Sequence, residues 1–138
     1  MPVPTDSGTF PATAKGLHAA LALVESCCTA WALDPAVVPR ARIAVEELFS
    51  NTIKYGYGAE CEREVRLRLS TAPALTLVYE DDAPPFDPTR WRDPENAGLA
   101  PDERAEGKQG IAILLGLART AEYRARPGGN GLILTFGP

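Results

Sequence analysis

The sequence predicts an α+β fold, a two-layer α/β sandwich whose helices lie on one face of a mixed, mostly antiparallel sheet. Two observations lead to this fold class. Apolar residues recur at helical spacing in an early segment, and they alternate with polar residues in two later pairs of segments. Strands that follow one another as hairpins favour antiparallel pairing. At 138 residues, of which 45% are hydrophobic and 23% charged, residues 1–138 fit one domain around one core.

The first part of the chain predicts an edge strand followed by two helices. Residues before Ala12 can form the strand, and apolar residues then recur at steps of three and four. This helical face consists of Leu17, Leu21, Val24, Cys28 and Trp31. Asp34 and Pro35 predict the N-cap and the first turn of a second helix, which runs to Tyr55 before glycines stop it.

Two hairpins are predicted after the helices. Apolar and polar residues alternate over 65–69 and 75–79, which indicates two strands with one buried face. The same alternation recurs over 121–125 and 132–136, on either side of a glycine-rich turn at 127–131. Each hairpin therefore contributes two adjacent antiparallel strands to the sheet.

Between the hairpins, residues 83–110 are rich in proline, glycine and charged residues and predict a long mobile loop. Residues 111–117 are apolar and predict a short buried helix. Gly107, Lys108 and Gly110 stand directly before this helix, where glycines would let backbone N–H groups and the positive helix end approach a phosphate. A glycine-bounded helix start is common, so this feature gains weight only from the loop that precedes it.

Charge and composition exclude several classes of protein. The net charge is −4, from 18 acidic and 14 basic residues, and no basic cluster predicts nucleic acid binding. No apolar stretch is long enough to cross a bilayer and no signal peptide is evident, so we expect a cytoplasmic protein. The three cysteines form no C-x-x-C pair and predict buried thiols, while the single histidine, His18, predicts a surface residue and no zinc site.

Two polar residues interrupt the apolar face of the second predicted helix. Glu47 and Asn51 lie one turn apart on that face, whereas Glu46 points outward. Burying a carboxylate and an amide costs free energy unless they are hydrogen-bonded, paired or bound to an ion. If no other polar residue were nearby, Glu47 and Asn51 would be expected to hydrogen-bond to each other and to nearby backbone groups. Lys54 follows one turn later, so a base, an oxygen ligand and a positive charge could line one cleft that suits a magnesium nucleotide.

A second polar residue points inward at the end of a predicted strand. Strict alternation places Asp81 on the same face as Leu75, Leu77 and Tyr79. A buried carboxylate at a strand end can accept hydrogen bonds from an amine of a ligand. The alternative is that the acidic residues form a solvent-exposed turn, and this accounts for the position of Asp82 better than for that of Asp81.

Three segments together resemble the motifs of GHKL ATPases, in the same order and at matching spacing. They are Ala44 to Tyr57, Asp81 to Pro88, and Gly107 to Ile111. The short chain and the Pro-Pro-Phe-Asp-Pro ending are most similar to the anti-sigma factor serine/threonine kinases. The resemblance covers nearly the whole chain and implies the Bergerat-type ATP-binding fold, with the loop at 83–110 as an ATP lid.

The resemblance also implies roles for individual residues. It makes Asn51 the ligand of Mg²⁺, Glu47 the base that activates a hydroxyl or a water, and Asp81 the acceptor for the adenine amino group. Gly107 and Gly110 would contact phosphate. Lys54, Arg104 and Lys108 are candidate donors of positive charge to the phosphates, because phosphoryl transfer needs a metal, positioned charge and a base near the attacking oxygen.

The family implies partners and leaves one alternative open. The substrate would be a serine or threonine hydroxyl on an anti-anti-sigma-like protein, and the kinase would also sequester a sigma factor, commonly as a homodimer. Ala83 stands where the family usually has glycine, Tyr55 where it often has histidine, and Lys108 where a second glycine is frequent. A methyl group at Ala83 next to adenine favours the alternative, a nucleotide-dependent protein-interaction module without kinase activity.

Overall fold

The computed structural model describes residues 3–71, 74–90 and 116–137. In chain order its elements are strand β1 (Thr5–Ala12), helix α1 (Ala14–Ala30), helix α2 (Val37–Asn51), a π-helical turn (Thr52–Gly56), strands β2 (Cys61–Ser70) and β3 (Leu75–Asp81), a 3-10 turn (Pro88–Arg90), and strands β4 (Thr120–Arg126) and β5 (Gly129–Phe136). The predicted α+β class and both hairpins are confirmed.

The five strands form one sheet in the order β1-β2-β3-β5-β4, and all four pairings are antiparallel. The predicted sheet was mixed and mostly antiparallel, and the pairings among the described strands are all antiparallel. The predicted edge strand before Ala12 is β1, which among the described strands pairs with β2 alone.

The core lies between the sheet and the two helices. Alternate residues of β2, β3 and β5 point toward the helices, which cover this face with their own apolar residues. The largest fully buried side chains are Phe49, Phe136, Leu67, Leu69, Leu75, Leu77, Leu134, Val24, Val45 and Val65. The opposite face of the sheet carries polar and charged side chains, as alternation requires of a two-layer fold.

The two helices begin differently. At α1 the Thr13 hydroxyl accepts a hydrogen bond from the Gly16 backbone N–H at 3.0 Å, which satisfies one free donor of the first turn. The predicted N-cap Asp34 instead precedes α2 by a short turn, in which its carboxylate accepts from the Ala36 N–H at 2.9 Å. Regular helix then begins at Val37.

Helix α2 changes its geometry where the polar residues cluster. Regular α-helix ends at Asn51, and a π-helical turn continues to Gly56, so the helical segment ends close to the predicted Tyr55 but its last turn is of the π type. A π turn is wider than an α turn and rotates the residues that follow it. Tyr55 consequently lines a cleft, while Lys54 is exposed.

The second hairpin closes through Pro127 and Gly128, and Gly128 has a φ of +73° that favours glycine at this turn position. Gly129 then packs so closely on β3 that a Cβ atom there would lie 2.2 Å from the Asp81 carbonyl oxygen. This close approach sets Asn130 directly opposite Asp81 in the β3–β5 register.

Most of the predicted loop at 83–110 lies outside the described residues, as does most of the predicted helix at 111–117. The described start of the loop is irregular up to the 3-10 turn, and Gly116 and Leu117 are helical. His18 is exposed, as predicted, and Cys27, Cys28 and Cys61 are free thiols. None of the helices in the described ranges has the length and hydropathy needed to cross a membrane.

Candidate functional site

A cleft of about 690 Å³, part of it open to solvent, lies between the end of α2 and the adjoining ends of β3 and β5. Most of its wall is apolar, with a few polar groups at one side. The lining residues are Leu48, Asn51, Thr52, Tyr55, Gly56, Tyr79, Asp81, Ala83, Pro84, Phe86, Pro88, Tyr123, Asn130 and Leu132.

Asp81 is the buried charged group of this cleft, with 6% of its surface exposed. One carboxylate oxygen, Oδ1, accepts hydrogen bonds from the Ala83 backbone N–H at 3.2 Å and from Asn130 Nδ2 at 2.9 Å. The other, Oδ2, accepts from the Thr52 hydroxyl at 2.7 Å. A carboxylate offers about four acceptor positions, so Oδ2 keeps one for a ligand.

Thr52 connects Asp81 to a buried tyrosine. Its hydroxyl oxygen lies 2.6 Å from the Tyr79 hydroxyl and 3.1 Å from the Leu48 carbonyl oxygen. Because Thr52 has one hydroxyl hydrogen and the carboxylate is the strongest nearby acceptor, Thr52 donates to Asp81 and accepts from Tyr79. Burial raises the pKa of Tyr79 well above its usual value, so the phenol stays protonated and remains a donor.

Replacing Thr52 by valine is expected to lower the free energy of unfolding by about 1–3 kcal/mol, because Tyr79 and Asp81 each lose a buried hydrogen-bond partner while the side-chain volume is kept. Urea denaturation measures this loss. Thr76→Val is the matched control, since the one hydrogen bond of the Thr76 hydroxyl within the described residues goes to the carbonyl oxygen of Ala74, just before β3. Equal losses in both variants would contradict the role given to Thr52.

Ala83 packs against the π-helical turn. A Cβ atom on Gly56 would lie 2.8 Å from the Ala83 Cβ, so the methyl group occupies the space that a side chain at Gly56 would need. Ala83 is 2% exposed and does not have a positive φ. The alanine therefore fits its backbone position without strain, and its methyl group takes part in packing between β3 and the π turn.

This contact predicts a compensating pair of substitutions. Gly56→Ala alone is expected to lower the free energy of unfolding by about 1–3 kcal/mol, because two methyl groups would overlap. Adding Ala83→Gly should recover most of that loss, since it frees the same space. Denaturant titrations of both single variants and the double variant measure the coupling. Additive losses would show that the two methyl groups do not meet.

Aromatic side chains form much of the remaining wall. Tyr55, Phe86 and Tyr123 line the cleft together with prolines and two leucines. Burial, followed by the nearby charges of Asp87 and Asp81, raises the pKa of Tyr123, so its hydroxyl is neutral at physiological pH. Flat apolar walls beside one buried carboxylate suit a planar ring that carries an N–H donor.

Charged residues on the outer face hold the end of β3 in place. Arg66 on β2 and Arg126 on β4 approach the Asp82 carboxylate at 2.7 and 3.6 Å, and the Arg66 hydrogen bond lowers the pKa of Asp82. The Tyr57 hydroxyl accepts from the Asp82 backbone N–H at 2.9 Å and donates to the Glu64 carbonyl at 2.7 Å. Asp82 thus anchors the strand from outside while Asp81 faces the cleft.

The structure places the predicted site residues unequally. Asn51, Asp81 and Ala83 all line the cleft. Glu47 lies one turn before Asn51 and is half-buried, is not among the lining residues, and has no hydrogen bond or ion pair within the described ranges. Lys54 is exposed and also does not line the cleft. Three further predicted residues, Gly107, Lys108 and Gly110, lie outside the described residues.

A metal site built from protein carboxylates and imidazoles is not apparent. Within the part of the chain that the structure describes, no group of three or more His, Cys, Asp or Glu side chains is close enough to hold an ion. Asn51 lines the cleft and carries a side-chain amide oxygen. An amide oxygen of this kind suits Mg²⁺ that keeps several waters and is held mainly by substrate phosphates.

Sequence reasoning missed Thr52, Tyr79 and Asn130 as site residues. Thr52 directly follows Asn51 in the sequence, and this adjacency is the signal that could have pointed to it. Alternation with Leu77 predicts Tyr79 as a core residue. The glycine-rich segment at 127–131 predicts a turn that contains Asn130, and only the β3–β5 register brings Asn130 beside Asp81.

Comparison with known proteins identifies the family and agrees with the fold. A sequence profile described as histidine kinase-like ATPase domain matches residues 10–136. Among solved structures, the chain is similar to the crystal structure of the RsbU and RsbW domains of Rv1364c from Mycobacterium tuberculosis, with a TM-score of 0.67 and 16% sequence identity. The match covers 98% of this chain and 32% of that chain, and at this identity it shows the fold alone. No curated protein matches the sequence.

Proposed function

Because the chain belongs to the histidine kinase-like ATPase domain family, we propose that it is an ATP-binding serine/threonine protein kinase of the anti-sigma factor type. It transfers phosphate from ATP to an anti-anti-sigma-like regulatory protein and sequesters a sigma factor. ATP and these partners place the reaction in the cytoplasm. The resemblance of the three sequence motifs to anti-sigma factor kinases supports the choice of partner class, and a homodimer is the expected state.

The cleft around Asp81 is the observation that carries this proposal. Asp81 retains one acceptor position on Oδ2 inside a pocket with aromatic walls, which is the arrangement that an adenine ring with its amino group requires. Guanine presents a carbonyl oxygen at the corresponding ring position and would face the carboxylate with a second acceptor. The site therefore selects adenine nucleotides.

Asn51 is the proposed Mg²⁺ ligand beside the phosphates of the nucleotide. It lines the same cleft from the end of α2, one residue before Thr52, so a ligand whose base sits on Asp81 extends toward it. Mg²⁺ held through the Asn51 oxygen would neutralise charge on the phosphate oxygens. Lys54 is exposed near the cleft, and Lys108, Gly107 and Gly110 stay predictions for the phosphate end of the site.

Glu47 is the proposed base for the transfer. It precedes Asn51 by one helical turn, and within the described ranges no partner neutralises its carboxylate. In the proposed reaction the partner's hydroxyl oxygen forms a bond to the γ-phosphorus while the bond from that phosphorus to the ADP oxygen breaks. The hydroxyl proton passes to Glu47, and ADP and the phosphorylated partner leave.

Incubation with radiolabelled ATP and Mg²⁺ tests the kinase activity. We expect label to appear on a serine or threonine of an anti-anti-sigma-like protein. ATP binding without transfer to any such protein would favour the alternative, an interaction module that uses nucleotide only to set its affinity for a partner. Glu47 is not among the residues that line the cleft, and this observation favours the alternative.

A further inference from the structure

The side chain of Asn130 forms hydrogen bonds with both neighbouring strands and with the segment that follows β3. Its Nδ2 donates to Asp81 Oδ1 at 2.9 Å and to the carbonyl oxygens of Ala83 and Pro84, both at 3.2 Å. Its Oδ1 accepts from the Phe86 backbone N–H at 2.9 Å and from the Tyr123 hydroxyl at 2.5 Å.

The donors and acceptors around Asn130 determine the positions of its Oδ1 and Nδ2 atoms. Three acceptors face the nitrogen and two donors face the oxygen, so a flipped amide would oppose like groups at four of the five contacts, all except the Tyr123 hydroxyl, which can also accept. The two hydrogens and two lone pairs of the amide are all engaged by protein atoms. Asn130 therefore acts on other residues of the cleft rather than on a ligand.

The segment after β3 depends on this side chain because of its prolines. Pro84 and Pro85 have no backbone N–H, so Ala83 and Phe86 supply the only backbone donors from residue 83 to residue 86. The Ala83 N–H bonds Asp81 and the Phe86 N–H bonds Asn130. Both backbone donors of the segment are thus used by one cross-strand pair of side chains.

We propose that Asn130 is a positioning residue for base recognition, whose NH₂ group holds Asp81 as an oriented acceptor and whose oxygen fastens Phe86 and Tyr123 to the cleft wall. This inference rests on the proposed nucleotide binding. With Asn130 in place, the Asp81 carboxylate is held from three directions and presents one fixed acceptor position. Without the NH₂ group, Oδ1 keeps only the Ala83 N–H, and the carboxylate can rotate away from the base.

The variant Asn130→Asp removes the NH₂ group of the side chain and keeps the oxygen that contacts Phe86 and Tyr123. The new carboxylate still accepts from Phe86 and Tyr123, but once ionised it repels Asp81 instead of donating to it, so the titrations are run at mildly alkaline pH, where the two carboxyl groups do not share a proton. The measurement is the ratio of the Kd for ITP to the Kd for ATP, because inosine carries an oxygen where adenine carries the amino group. We expect a ratio of about 10 or more in the wild type, the value of one charge-assisted hydrogen bond. We expect about 1–3 in the variant, mainly through weaker ATP binding.

A second measurement tests the role of Asn130 in the protein without nucleotide. Hydrogen exchange of the Phe86 amide, followed by NMR, should be slow in the wild type and in Asn130→Asp, where an oxygen still accepts the bond. It should become fast in Asn130→Ala. Thr135→Ala is the matched control, because it removes a cross-strand hydrogen bond to Thr120 at the far end of β5. It should change neither the Phe86 exchange nor the nucleotide ratio.

Each result decides the inference. If the ratio of the ITP Kd to the ATP Kd is the same in Asn130→Asp as in the wild type, the inference is overturned. This includes the case in which both nucleotides bind more weakly by the same factor, because a purely structural role of Asn130 predicts that result. If Asn130→Asp does not fold, the ratio and the exchange are measured on Asn130→Ala. Failure of that variant to fold as well would assign Asn130 to the fold as a whole and also overturn the inference. If the wild-type protein binds no ATP, the proposed function is refuted rather than the role of Asn130. In that case the exchange rate of the Phe86 amide alone decides whether Asn130 holds the segment after β3.

Discussion

Glu47→Gln is expected to lower the rate of phosphoryl transfer by ~10²–10⁴-fold, the usual contribution of a positioned general base, with ATP affinity close to that of the wild type. Glutamine keeps the size of the side chain but cannot accept the hydroxyl proton. Because Glu47 does not line the cleft around Asp81, its loss should leave base binding intact. Single-turnover transfer of labelled phosphate, with a separate ATP titration, measures both quantities.

Glu46→Gln is the matched control for this experiment. Glu46 is the neighbouring glutamate on α2, is exposed, and points away from the cleft. We expect transfer by this variant to stay within about twofold of the wild type, since surface substitutions rarely do more. Comparable transfer by both variants would refute Glu47 as the base. Loss of ATP affinity in Glu47→Gln would show that its role lies in binding.

Asp81→Asn is expected to weaken ATP binding by about 100-fold, the second large effect in this protein. Three donors surround the carboxylate, from Thr52, Ala83 and Asn130. The amide oxygen of the variant can replace Oδ1 and accept from Ala83 and Asn130, which leaves the NH₂ group at the position of Oδ2, so the acceptor position for the base is lost. Calorimetric titration with ATP measures the affinity.

Asp82→Asn separates this effect from a general change in charge. Asp82 is the adjacent carboxylate, but it faces Arg66 and Arg126 on the outer surface of the sheet. We expect ATP affinity in this variant to stay within about threefold of the wild type, since its hydrogen bonds do not reach the cleft. Unfolding curves of both variants establish that the protein is folded at the temperature of the titration. Wild-type affinity in a folded Asp81→Asn would refute base recognition by Asp81.

Much of the fold could be predicted because the patterns are local. Alternation identified β2, β3, β4 and β5, and it also placed Asp81 on the inner face, where the structure buries it. Helical spacing brought Asn51 to the same side as the core residues of α2. These two placements require only the period of a strand and of a helix, which the sequence carries directly.

The remaining parts of the site depend on features that have no local pattern. The π turn after Asn51 changes the rotation per residue, so extrapolation of α-helical geometry misplaces Lys54 and overlooks Thr52 and Tyr55. The contact of Asn130 with Asp81 follows from the register between β3 and β5, which a sequence does not specify before the strands are paired. Ala83 illustrates the same limit, since its fit depends on Gly56, which lies far away in sequence.

A crystal structure of this chain with Mg²⁺ and a non-hydrolysable ATP analogue tests the central claim most directly. We predict that the adenine amino nitrogen lies within hydrogen-bond distance of Asp81 Oδ2, that the ring packs between the aromatic walls of the cleft, and that the metal lies on the side-chain oxygen of Asn51. A nucleotide bound elsewhere, or an adenine in the cleft without contact to Asp81, would contradict this account of the site.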